Sequence, residues 1–177
     1  MNNDKGFTLI ETLVAMGILA IGLLSLAGVF TLGLRHMQTS SPGLIAREKA
    51  REAIESVHTA RDTRVITWAQ IRNQSQGGIF ADGEQDMLLP GLDGLVNTND
   101  DDGVEEVVDP GYDNILGTGD DKKTPLSTFK RTIDINDILD GQGNVNPSLR
   151  ELVVTISYQV GNTTRRYTLT TYISSVS

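Results

Sequence analysis

From Thr12 to Leu34 the chain runs for 23 residues without a charge. A helix rises about 1.5 Å per residue, so such a run reaches roughly 35 Å, enough to cross a hydrocarbon core of about 30 Å. No other feature limits the fold so strongly. A helix that is apolar on every side belongs in a bilayer or in the core of an assembly, not on the surface of a soluble domain. Gly17, Gly22, Gly28 and Gly33 interrupt it. Glycine weakens a helix in water by about 1 kcal/mol relative to alanine, yet in membranes it lets helices approach closely. The remainder, roughly 140 residues, is long enough for one small core of its own.

The run begins abruptly. A short polar leader ends in Lys5-Gly6, Phe7 follows, and after Thr8-Leu9-Ile10 a lone Glu11 stands at the edge of the apolar segment. The leader is too short and too polar for an ordinary secretory signal, whose apolar region precedes its cleavage site. Gly6-Phe7-Thr8-Leu9-Ile10-Glu11 closely resembles the class III signal of the type IV pilin superfamily. Ala15 to Leu24 is similar to the PilV-type minor pilins. The resemblance implies cleavage after Gly6 by a prepilin peptidase on the cytoplasmic side and N-methylation of the new terminus at Phe7. It places the leader in the cytoplasm and the rest outside, since Asp4 offsets Lys5 and leaves the charge rule for orientation weak. The chain departs from many pilins in lacking a proline near Gly28 and the cysteines of a C-terminal disulfide loop.

Glu11 needs an explanation of its own. A carboxylate at the centre of a membrane helix costs about 2.5–3.5 kcal/mol on insertion scales, and less near the interface. Lys5 would leave with the leader, and the amine created at Phe7 is the other nearby cation. In the family this carboxylate is thought to meet the N-terminal amine of a neighbouring subunit during assembly.

Beyond the apolar run, Ser40-Ser41-Pro42-Gly43 predicts a break or kink, because proline removes a backbone donor and clashes with the preceding turn. Helical spacing then resumes with Ala46, Ala50, Ala53, Ile54 and Val57 on one stripe and Arg51 and Glu55 four apart on the other side. Trp68 and Ile71 are expected to anchor the next segment, and Asn73 to Gly78 reads as loop. His36 and His58 are lone histidines without a cluster of ligands around them.

Asp82 to Asp121 holds 13 acidic residues and no lysine or arginine, interleaved with glycine and asparagine. Calcium takes about six to eight oxygens, and glycine permits the sharp turns that gather them. Asp93, Asn97, Asn99, Asp100, Asp101, Asp102, Asp109, Asp113, Asp120 and Asp121 are the candidate donors. With Gly103 aligned on the EF-hand glycine, Asp100 and Asp102 take ligand positions but Thr98 stands at the first, so this is no EF-hand. Two readings stay open: a calcium loop of another kind, or a solvated acidic surface loop. Zinc is disfavoured for want of histidine and cysteine.

The last third alternates with period two. Phe129, Ile133 and Ile135, then Leu152 to Val160, then Tyr167 to Ile173 set apolar residues on one face. Gly161-Asn162 suits a two-residue hairpin turn, and Gly141 to Asn144 with Pro147 a longer loop. The expected architecture is α+β and pilin-like: a long N-terminal helix whose first half spans the membrane and whose second half packs on an antiparallel sheet, with the acidic loop between. The segments are a cleaved leader at 1–6, the membrane or filament-core helix at 7–34 and its amphipathic continuation at 35–62. A variable region at 63–128 with the acidic loop at 82–121 and the sheet at 129–177 complete the chain.

A net charge of −8 argues against nucleic acid as a general partner, because backbone binding needs basic clusters. No nucleophile elbow, zinc helix or phosphate loop occurs, so no enzyme is expected. The resemblance implies a minor pilin stored in the inner membrane and assembled into a type IV pilus at the cell surface, where it helps start, cap or modify the filament. Its partners would be the prepilin peptidase and N-methyltransferase, the major and other minor pilins, and the inner-membrane assembly platform. The alternatives are a pseudopilin of a type II secretion system and a single-pass membrane protein with a calcium-binding outer domain.

Overall fold

The computed structural model describes residues 8–176, without the side chains of 34–40. One helix, α1, runs from Leu9 to Asp62. By contacts the chain divides into two compact units, one ending at Ser41 and the other starting at Pro42.

In the first unit, Leu9–Gly33 is apolar enough to span a membrane, with a mean hydropathy of 2.5 in its most apolar window and none of that window buried within the chain. Its hydroxyls are satisfied locally. Thr12 Oγ1 donates to the Leu9 carbonyl, Ser25 Oγ to Ile21 and Thr31 Oγ1 to Ala27, all at 2.8–2.9 Å. That is what a helix in hydrocarbon needs, where an unpaired polar group costs several kcal/mol. A Cβ added at any of the four glycines would meet nothing within 4 Å.

A break or kink is expected at Ser40 to Gly43; the helix is not interrupted there, and Pro42 lies inside α1. Proline forfeits one backbone bond, about 3 kcal/mol in a helix interior. The turns that follow are held by burial: Ala46, Ala50, Ala53, Ile54, Val57 and Ala60 are all buried. The Arg51–Glu55 pair forms on the opposite side at 3.0 Å. The helix closes with Arg64 in the left-handed region, φ 59°, while the Val65 amide reaches back to the Ala60 carbonyl.

The second unit is built on a four-stranded antiparallel sheet. Its strands are β1 (Gln85–Asp86), β6 (Phe129–Leu139), β7 (Val145–Val160) and β8 (Thr163–Ser174), in the order β1-β6-β7-β8. Ile133, Ile135, Leu152, Val154, Ile156 and Ile173 line its core face, as the alternation predicts, and Phe129 stacks on Tyr158 at 5.6 Å. The small residues of the helix stripe belong to the same core, and the Arg61 guanidinium donates to the Ser174 carbonyl at 2.9 Å. The β7–β8 turn is Gly161-Asn162, with Gly161 at φ 60°. This is the positive φ that a hairpin turn with glycine first requires.

Two expectations are corrected. Pro147 sits inside β7, not in the loop before it. It lies past the end of β8, where the ladder does not need its missing donor, and its carbonyl accepts from Trp68 Nε1 at 2.9 Å. The stretch from Asn73 to Gly78 is also more than loop. The Asn73 side chain is buried and bridges strand β6, donating to Ile133 and accepting from the Ile135 amide at 2.7 and 2.8 Å.

Between helix and sheet, four short strands form two small antiparallel pairs: β2 (Leu88–Leu89) with β3 (Asp102–Val104), and β4 (Glu106–Asp109) with β5 (Lys122–Pro125).

Candidate functional site

Gly6 and Phe7 lie outside the described residues. Glu11 occupies the first turn of α1. Its amide is 3.1 Å from the Thr8 carbonyl and 3.3 Å from Thr8 Oγ1. Thr8 thus caps the helix and Glu11 stands at the third helical position, where a capping box places glutamate. Its negative charge also suits the positive end of the helix dipole. Among the described residues no cation pairs with Glu11, which is exposed. A carboxylate exposed at the start of an apolar helix is a group that an amine could neutralise.

The acidic stretch is not one loose loop. Pro90-Gly91-Leu92-Asp93 recurs twenty residues later as Pro110-Gly111-Tyr112-Asp113, and Asn97-Thr98-Asn99-Asp100-Asp101 as Gly117-Thr118-Gly119-Asp120-Asp121. The geometry repeats with the letters. Asp100 accepts from the Leu92 amide at 2.8 Å and Asp120 from Tyr112 at 2.7 Å. Asp93 accepts from Leu95 and Asp113 from Ile115, both at 2.8 Å. Asp101 accepts from Asn97 at 2.6 Å and Asp121 from Gly117 at 2.7 Å. Thr98 and Thr118 donate to Asp100 and Asp120 at 2.8 and 2.7 Å. Gly91 and Gly111 are required because a Cβ on either would overlap the Asp100 or Asp120 carboxylate. Asp102 and Asp109 accept local amides as well, from Gly103 and Gly111. Each half is a hairpin whose loop is closed by its own aspartates.

This arrangement accounts for a density of carboxylates that would otherwise repel. Hydrogen bonds from the threonines hold Asp100 and Asp120 below the usual carboxylate range, whereas burial pushes Asp101 up. Asn99 is a tether: its side-chain oxygen accepts from Gln74 at 2.9 Å. The ten candidate donors are therefore divided between two separate turns. Among the described residues no three carboxylate or histidine side chains gather so as to hold a metal ion. The donor set does not fit a ready-made calcium site.

Charge reasoning also missed a buried polar cluster. Arg131 on β6 is 2% exposed and Glu105 5%. The Arg131 guanidinium lies 3.6 Å from one Glu105 oxygen, which has no hydrogen-bond partner, and Lys49 from α1 lies 2.5 Å from the other. Arg131 Nε also donates to Asn97 Oδ1 at 2.7 Å, and Asn97 Nδ2 returns a bond to the Arg131 carbonyl at 3.1 Å. Burial lowers the pKa of Arg131 against the pull of Glu105, Asp101 and Glu52. For Lys49, burial pulls downward but hydrogen bonds to Glu105 and Glu52 outweigh it, leaving the pKa raised. Helix, sheet and first hairpin thus share one ion cluster. The twenty-residue period, visible in the letters, was the signal that could have found both the hairpins and the special place of Asn97.

Residues 1–27 match a family model described as the prokaryotic N-terminal methylation motif. No curated protein and no solved structure matches the chain. The matched segment takes in the leader, Glu11 and most of the apolar helix, and the head that follows is α+β, an arrangement consistent with a pilin-like fold. The N-terminus is that of a type IV pilin-like, membrane-anchored substrate of a prepilin peptidase.

Proposed function

We propose that the chain is a minor pilin of PilV type, cut after Gly6, methylated at Phe7, held in the inner membrane by Leu9–Gly33 and then drawn into a type IV pilus. The methylation motif running directly into a 25-residue apolar helix supports this above all else. Before assembly the helix is an anchor with its N-terminus in the cytoplasm. Afterwards it is part of the filament core, where its exposed apolar surface meets the helices of major and minor pilins and where glycines allow close approach. Glu11, which pairs with no cation among the described residues, meets the new amine of a neighbouring subunit. The role is that of a structural subunit that starts, caps or modifies the filament.

Expression with and without the prepilin peptidase tests the first step. The expected result is a mature chain beginning with N-methylated Phe7. A product that keeps Met1 with the peptidase present overturns the reading. The Glu11→Leu variant is expected to be processed and retained in the membrane but lost from sheared pili.

The same motif serves pseudopilins of type II secretion systems. Deleting the gene separates the two readings: loss of surface filaments supports the minor pilin, and loss of enzyme secretion with filaments intact supports the pseudopilin.

A further inference from the structure

The two hairpins are tied to the head in different ways. In the first, Leu95 and Val96 are 0% and 5% exposed, packed into the core. Asn97 bonds Arg131 through its side chain and accepts from the Ala81 amide at its carbonyl, and Asn99 holds Gln74. In the second, the counterparts Ile115 and Leu116 are 60% and 67% exposed, and Gly117 and Gly119 stand where those asparagines would be. Among the described residues, every hydrogen bond made by 106–125 stays within 106–125, and none of its lysines or acids forms an ion pair. Of its valines, isoleucine and leucine, only Val107 packs against the core.

The second hairpin meets the head at Glu105 and Leu126. Both are buried, and the Leu126 amide donates to the Glu105 carbonyl at 2.8 Å. The Glu105 amide donates in turn to the Met87 carbonyl at 2.9 Å, while its carboxylate lies between Lys49 from α1 and Arg131 from β6. A two-stranded ribbon has little stability of its own, and one bound only at its base has nothing further out to fix its angle. The far end is stiff by contrast, because Asp113, Asp120 and Asp121 accept amides of their own turn and Thr118 donates to Asp120. Bending is therefore concentrated at the base, where the buried contacts end. We propose that residues 106–125 form a hinged arm that swings as one piece about Glu105 and Leu126, with the contact of Glu105 with Lys49 and Arg131 as the clasp that limits the swing. The arm carries Tyr112, Ile115 and Leu116, all exposed, through a range of positions that the packed Leu95 and Val96 do not have. This goes beyond the pilin-like reading and does not depend on it.

The test uses the full chain in detergent. The chain has no cysteine, so introduced pairs take nitroxide labels at chosen sites only. One pair is Tyr112→Cys with Thr170→Cys on the exposed side of β8, and the reference pair is Leu92→Cys with Thr170→Cys. Tyr112 and Leu92 are equivalent positions of the two hairpins and both are fully exposed, so neither change disturbs the core. Distance distributions between the labels are measured by pulsed electron paramagnetic resonance in frozen samples. The distribution from Tyr112 is expected to be about twice as wide as that from Leu92, as for a segment that moves as a body against a fixed one. Lys49→Met opens one side of the clasp while Arg131 keeps its partner, and matched melting curves establish that it folds. It is expected to widen the Tyr112 distribution further and leave the Leu92 distribution unchanged. Equal widths for the two pairs in the parent overturn the hinge. Equal widening of both pairs in Lys49→Met, or none, overturns the clasp.

Discussion

Beneath Leu95 lies a packed core with Arg131 at its edge, whereas its counterpart Ile115 is largely exposed to solvent, although both loops are closed by the same aspartate and threonine bonds. The difference separates two tasks that one short motif performs. Closing the turn is local: each aspartate satisfies amides within eight residues of itself. Docking is tertiary and depends on Asn97, Arg131 and the apolar pair. The sharpest way to break the comparison is to remove the receptor. Arg131→Met should destabilise the head by about 3–5 kcal/mol, the cost of leaving a buried charge short of its partner. Glu105, already with one unpaired oxygen, would keep only Lys49. Denaturant unfolding of the full chain in detergent measures this. A loss below about 1 kcal/mol would mean that the first hairpin is not held by that cluster.

Truncating the two tips comes next. Leu95→Ala removes a fully buried side chain and should cost about 2–5 kcal/mol. Ile115→Ala, at the equivalent position, should stay within about 0.5 kcal/mol, as exposed substitutions do. Equal losses would show that the second tip is also packed within its own chain.

Calcium sharpens the comparison from another side. With carboxylates already capping amides in both loops, melting curves in calcium and in chelator should coincide. A clear rise with calcium would mean that aspartates now divided between the turns converge on the ion.

Much of this was legible in the letters, for reasons that differ by region. The apolar run, the stripe from Ala46 to Val57 and the alternation in β6 to β8 are periodic, and periodicity survives without knowledge of partners. Pro42 misled because its local cost is real but is offset by burial that begins one turn later. Arg131, Glu105 and Asn73 could not be read as buried, since each is polar and becomes tolerable inside only through partners distant in sequence. The acidic stretch was read by charge, which merges its two halves, when its period would have separated them. Glu11 was legible as an anomaly, while its place in a helix cap emerged only with Thr8 in position.

The smallest effect concerns α1. His58 lies on α1, half-buried, and burial lowers its pKa from the usual 6.5, with Arg61 adding to the shift and Asp62 opposing it. A base with a lowered folded pKa takes up its proton more readily when unfolded. Its contribution to stability is therefore complete above about pH 6.5 and is lost as pH falls through that value toward the folded pKa. Melting temperature should decline between pH 7.5 and about 5.5, a window above the range where carboxylates titrate. His58→Gln cannot titrate and should flatten that decline without altering the slope at lower pH. If the parent and His58→Gln lose stability in parallel across this window, the decline belongs to other groups.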